Sequence, residues 1–123
     1  MKKMYLTLPL FALIIACGGG NEKKEATAEV VDLSSNPDYQ KGLELIGKSD
    51  CLTCHKVSEK NIGPAYKDVA AKYENTEENV KMLAGKIIKG GQGVWGAIPM
   101  TPHSSLSEAD AEQMVKYILL LKK

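Results

Sequence analysis

Arginine is absent from this chain of 123 residues, and all sixteen basic residues are lysine. Arginine is the preferred side chain for bidentate contacts to phosphates and base edges. Its absence, with a formal net charge of only +1, argues against nucleic-acid binding. Aromatic residues are scarce as well: one Trp, one Phe and five Tyr. A small domain so poor in large apolar side chains gains from a bound group that brings apolar surface of its own. No apolar run approaches the roughly 20 residues that cross a bilayer. Two cores would be hard to fit in this length, so one domain and a leader are expected. No internal repeat is visible. Histidine is limited to His55 and His103.

The three cysteines leave one over from any disulfide, so each needs its own explanation. Cys17 ends a leader. Lys2 and Lys3 form a short basic start, and Met4 to Ala16 is apolar apart from Thr7, as in an export signal. Ile14-Ile15-Ala16-Cys17 resembles the lipobox of bacterial lipoproteins, which implies lipidation of Cys17 as the new N-terminus. The alternative is an ordinary cleaved signal with an incidental Cys, but Ile14 stands where such a site needs a small residue. Gly18 to Ser35 then shows no sustained apolar periodicity and reads as a flexible linker, reaching roughly 25 Å root-mean-square as a Gly-rich coil. The expected organisation is a signal peptide over 1–16, lipidated Cys17 and tether over 17–36, and a folded domain over 37–123.

From Pro37 onward the pattern is helical, with no convincing alternating strand. Asn36 can cap a helix with Pro37 at its first position, and Leu43, Ile46 and Gly47 are expected on one face. This helix is expected to run into Cys51. A second helix covers about 65–73, after Gly63-Pro64. Thr76 caps a third, with Glu77 and Glu78 where the helix dipole favours acids and Val80, Leu83, Ala84, Ile87 and Ile88 as its apolar face. Gly90 and Gly91 end it. The stretch 90–105 reads as a long Gly/Pro loop, of a kind that is often functional. Ser107 caps the last helix, paired with Asp110, and Ala111, Met114, Val115, Ile118 and Leu119 form its stripe. The fold class is all-α, with about four helices.

Cys51-Leu52-Thr53-Cys54-His55 carries the chemistry. Two thiols at this spacing can each add to a vinyl group of haem, and the adjacent imidazole can then reach the iron; C-x-x-C-H is the attachment signature of haem c. A zinc site wants four ligands, and there is no second Cys/His pair. A thioredoxin-like pair wants a βαβ context, which is missing. An export signal fits haem attachment outside the cytoplasm. The second axial ligand must come from elsewhere, and Met is the usual partner of His in such sites. Met82 and Met114 fall within helix stripes, where core packing is their expected role. Met100 sits in the Gly/Pro loop between Pro99 and Thr101-Pro102, which would hold it rigidly. His103 is the competing ligand.

Three blocks, CLTCH at 51–55, IGPAYKDVAAKY at 62–73 and GGQGVWGAIPMTPH at 90–103, resemble the small bacterial class I cytochromes c of the c-551/c-552 type. The resemblance covers nearly all of the chain beyond the tether. It implies the cytochrome c fold, one covalent haem c, and axial ligation by His55 and Met100. It implies that the Pro64 carbonyl takes the His55 ring N–H, and that Trp95 packs on the haem and donates to a propionate. Lys86 stands where some relatives place Arg beside a propionate. His103 stands near where relatives carry Asn or Gln able to donate to the Met sulfur; a neutral His could donate too, and its titration could couple to the potential.

The expected function is single-electron transfer by a monomer, not catalysis, since Met100 would close the iron to substrate. The partners implied are redox proteins: a terminal oxidase, a nitrite reductase or a quinol-oxidising complex. The lipid anchor adds the membrane and places the domain outside the cytoplasm, on the periplasmic side. The alternatives are a small haem enzyme or gas sensor, in which Met100 dissociates, and a docking subunit of a respiratory complex. Lys48, Lys56, Lys60 and Lys67 near the haem motif could steer an acidic partner, but they read by default as a solvated surface.

Overall fold

The computed structural model describes residues 32–122; the expected signal peptide, Cys17 and most of the tether lie outside the described residues. A short 3-10 turn over Leu33–Ser35 leads to Asn36. Its side chain accepts from the backbone N–H groups of Asp38 and Tyr39 at 2.9 and 3.1 Å, capping α1 (Pro37–Gly47). α1 stops before the cysteines, and a second 3-10 turn, Asp50–Thr53, carries Cys51. α2 (Tyr66–Lys72) and α3 (Glu77–Lys89) follow. Thr76 caps α3 by accepting from Asn79 N–H at 3.3 Å, and Gly90 closes it at φ +78°, a conformation open to glycine. α4 (Glu108–Leu120) starts at Ser107, whose Oγ accepts from Asp110 N–H while its hydroxyl donates to the Asp110 carboxylate.

The stretch expected as a plain loop contains a hairpin. β1 (Gly91–Gly93) and β2 (Gly96–Met100) pair antiparallel, with Gly91 opposite Met100 and Gly93 opposite Gly96. Gly93 and Gly96 flank the Val94-Trp95 turn at φ +96° and +125°, which glycine adopts without a Cβ penalty. The strands escape a reading by period-2 alternation because they bury no apolar face: β2 is exposed up to Met100. Four helices still dominate, so the all-α class stands.

α4 is the central helix. Ala111, Met114, Val115, Ile118 and Leu119 are all buried, with Tyr117 beside them. Met114, Tyr117 and Ile118 pack with Ile46 of α1 and Tyr66 of α2. Ala111, Val115 and Leu119 pack with Val80 and Ala84 of α3. Met82, expected in that core, is 38 % exposed, because the α3 contact runs along Val80 and Ala84 and residue 82 points well away from that line.

α1 buries Ile46 as expected, but Leu43 and Gly47 turn outward and Gly42 takes their place. Gly42 and Ile46 are buried, whereas Leu43 is 43 % exposed and Gly47 is exposed. The reason is the crossing with α4. A Cβ on Gly42 would lie 2.4 Å from Tyr117 Cβ and 2.6 Å from the Gln113 carbonyl oxygen. Only a bare Cα permits that approach, so the contact line follows Gly42 and Ile46, one turn apart, and Leu43 is rotated about 100° away. Gln113 also reaches across to donate to the backbone and side chain of Asp38 at 3.2 and 3.0 Å. Gly42→Ala should therefore push the two helices apart. The expected loss is about 1–3 kcal/mol, the usual scale of overpacking, read as a fall of at least roughly 4 °C in Tm. An unchanged melting temperature would show that the crossing is looser than described.

Candidate functional site

Two backbone segments, about 54–57 and 63–67, are stitched together. Gly63 N–H donates to the Cys54 carbonyl at 2.9 Å, Tyr66 N–H to that of Lys56 at 2.9 Å, and Lys67 N–H to that of Val57 at 3.0 Å. The stitching brings Pro64 onto His55: the Pro64 carbonyl oxygen lies 2.8 Å from His55 Nδ1. A carbonyl only accepts, so Nδ1 carries the proton and Nε2 the lone pair. The ring is held on two further sides. A Cβ on Gly63 would fall 2.4 Å from His55 Cε1, so the backbone of this glycine lies against the imidazole edge. The Tyr66 ring stacks on its face at 5.4 Å, tilted by 18°.

Cys51 and Cys54 lie immediately before this histidine on one tight turn, where the N–H groups of Cys54 and His55 both donate to the Cys51 carbonyl, at 3.2 and 3.0 Å. Both thiols are half-buried and free of disulfides. Burial first, then the neighbouring Asp50 carboxylate, push the Cys51 thiol up from its ordinary value. A thiol so disposed is a poor thiolate, unlike the lowered cysteines of redox-exchange motifs. Among the described residues no group of three or more His, Cys, Asp or Glu is placed to hold a metal ion. Burial also raises the Tyr66 phenol far above its ordinary value and that of Tyr117 in the same direction. Both rings are thus neutral packing surfaces at physiological pH.

Met100 and Trp95 belong to the hairpin. Met100 closes β2, half-buried, and its carbonyl oxygen sits so close to Gly90 that a Cβ there would approach to 2.6 Å. Trp95 occupies the turn, 38 % exposed, with the Lys72 ammonium 5.6 Å from its ring centre and 5.9 Å from that of Tyr73. This contact fastens the hairpin to the end of α2. The Lys86 side chain runs along Gly91. His103 turns toward the cysteine segment, its Nε2 3.1 Å from Asp50 Oδ1. Two of the four lysines near the motif are offset by acids: Lys48 pairs with Glu44, and Lys56 stands 4.0 Å from Glu59.

Sequence reasoning assigned no role to Gly63, Tyr66, Lys72 or Asp50. The 62–73 block contains Gly63 and Tyr66, and their nearness to Pro64 was the available signal. Lys72 lies in that block as well, but nothing in the sequence paired it with Trp95, 23 residues away, or paired Asp50 with His103, 53 residues away. The donor set itself fits a covalently held haem. It offers two thiols on one turn, an imidazole fixed with one nitrogen free, and a thioether on a hairpin end.

A family model described as cytochrome c matches residues 39–122. Cytochrome c-552 of Nitrosomonas europaea is 47 % identical over 83 residues, covering 68 % of this chain and 81 % of that protein. Cytochrome c-552 of Hydrogenobacter thermophilus is 46 % identical over 79 residues, covering 64 % and 80 %. The crystal structure of wild-type Nitrosomonas europaea cytochrome c552 superposes with a TM-score of 0.61 at 48 % identity, over 65 % of this chain and 99 % of that one.

Proposed function

The chain belongs to the cytochrome c family, which makes it an electron carrier with one covalent haem c rather than an enzyme, and we propose that Cys51 and Cys54 form the thioethers while His55 and Met100 ligate the iron. The observation that carries this assignment is the hydrogen bond from His55 Nδ1 to the Pro64 carbonyl. It holds the ring in one tautomer with Nε2 free to coordinate, and a partner of this kind raises ligand basicity. The bound haem supplies a one-electron iron couple. The chain's own residues orient the ligands, exclude water and tune the potential. Pro99 and Pro102 stiffen the segment around Met100, and a neutral, soft thioether favours the ferrous state. Trp95 is assigned to packing on the haem and donating to a propionate, with Lys72 steadying it.

The competing ligand is His103, whose Nε2 meets Asp50. Paired substitutions separate the two. Met100→Ala should open the iron to cyanide or carbon monoxide, and Met100→His should lower the potential, within the overall axial-ligand span of about 0.8 V. His103→Ala should leave the iron closed. The opposite pattern, an unchanged spectrum in Met100→Ala and an open iron in His103→Ala, would move the ligand to His103.

The finer biology is also a proposal. A lipid on Cys17, with the tether over 17–36, would hold the domain to a membrane on the periplasmic side. From there it would exchange electrons with a quinol-oxidising complex, a terminal oxidase or a nitrite reductase, as a monomer. The lipobox-like Ile14-Ile15-Ala16-Cys17 supports the anchor, and several acyl chains would make it stable where one is marginal. None of the described helices is long and apolar enough to cross a membrane. Mass spectrometry of the mature N-terminus should find diacylglyceryl-modified Cys17; an unmodified N-terminus downstream of it would remove the anchor.

A further inference from the structure

The hairpin that carries Met100 is fastened to the end of α3 at its base. Gly91 pairs with Met100, the Met100 carbonyl and the Pro102 ring lie against Gly90, and His103 N–H donates to the Ile87 carbonyl at 3.0 Å. These contacts hold the backbone at the open end of the ladder. The Trp95 turn lies at the other end, between Gly93 and Gly96 at φ +96° and +125°. The Gln92 side chain donates to the Ala97 carbonyl at 2.6 Å, which stiffens the hairpin internally but attaches it to no helix.

Lys72 supplies an attachment at the turn. Its ammonium lies 5.6 Å from the Trp95 ring centre and 5.9 Å from that of Tyr73, both within the roughly 6 Å over which an aromatic face attracts a cation. The two rings belong to different parts of the molecule. Tyr73 packs against the cluster of Val80, Ala84, Ala111, Val115 and Leu119, and its N–H donates to the Val69 carbonyl at 3.0 Å. It is part of the scaffold, whereas Trp95 is part of the hairpin. One cation shared between them therefore joins the α3–α4 core to the turn. Glu74, the acid next to Tyr73 in sequence, is bonded to Lys122, which leaves the ammonium to the rings.

We propose that Lys72 is a positioning residue for the iron ligand: by tying the Trp95 turn to Tyr73, it slows the dissociation of Met100. The proposal deepens the assignment of Met100 to the iron and rests on it. A strand held at one end only is free to twist about its own axis. Met100 closes β2, and twisting that strand turns the Met100 side chain. The Trp95 turn, at the far end of the ladder, sets the twist. A thioether is a neutral, weakly donating ligand, so its bond to iron offers modest resistance to such a motion. With the turn tied down, the hairpin must break the cation contact before the methionine swings away. An exposed cation over a ring lowers the population of the open form by a factor of about two to five.

Stopped-flow displacement of Met100 by imidazole in the ferric, haem-loaded protein tests this. At saturating imidazole, Met100 dissociation limits the rate at which the sulfur-to-iron band disappears. Lys72→Met, which keeps the aliphatic stem and removes the cation, should raise that limiting rate about two- to five-fold. Lys72→Arg, which restores a cation able to stack on a ring, should return it to the wild-type value. Lys67→Met, which removes a lysine from the same helix, should leave it unchanged. Fluorescence of Trp95, the only Trp in the chain, should rise in Lys72→Met alone, as the indole moves away from the quenching haem. An unchanged limiting rate or unchanged emission in Lys72→Met, even with a lowered melting temperature, would reduce Lys72 to a structural role and overturn the proposal. An equal increase in Lys67→Met, or no rescue in Lys72→Arg, would overturn it as well. A wild type that lacks the sulfur-to-iron band would overturn the Met100 assignment and this proposal with it, whereas an intact band with an unchanged rate overturns the proposal alone.

Discussion

A single hydrogen bond, from His55 Nδ1 to the carbonyl of Pro64, decides what the site can do. An imidazole free to rotate offers either nitrogen in either tautomer. One pinned at Nδ1 offers only Nε2, in a fixed direction. The bond exists because the segment after the cysteines folds back on itself, with Gly63, Tyr66 and Lys67 donating to the carbonyls of Cys54, Lys56 and Val57. Gly63 is bare where the imidazole edge comes in, and Tyr66 lies flat on its face.

Tyr66 connects that ring to the scaffold. It meets Tyr117 edge-on at 6.5 Å, and Tyr117 meets Tyr39 at 5.0 Å. Tyr117 is also the residue against which Gly42 packs. The helix crossing, the core of α4 and the orientation of His55 are thus one continuous set of contacts. An expansion at the crossing has a direct route to the histidine. Tyr66 and Tyr117 thus both fill the core and fix the ring, in a small chain whose cofactor provides further apolar surface.

Much of this was legible in the sequence, for identifiable reasons. The Asn36, Thr76 and Ser107 caps are local, and the α4 stripe repeats with helical period, so both could be read directly. The cysteine motif is contiguous, so its placement needed no tertiary knowledge. What escaped was set by contacts between distant segments. The buried face of α1 is chosen by α4 at Gly42, which carries no hydrophobic signal. The hairpin around Trp95 has no buried face to impose alternation. The Asp50–His103 pair joins residues 53 apart, a separation that no local pattern reports.

Two cysteines on one turn, next to a histidine held for coordination, have their full meaning only if the haem becomes part of the polypeptide. Acid–acetone extraction of the purified protein, followed by intact-mass measurement, asks this most directly. Haem should stay on the wild-type chain and be lost entirely from the Cys51→Ala/Cys54→Ala double variant. Haem that extracts from the wild type, or stays on the double variant, would contradict the account.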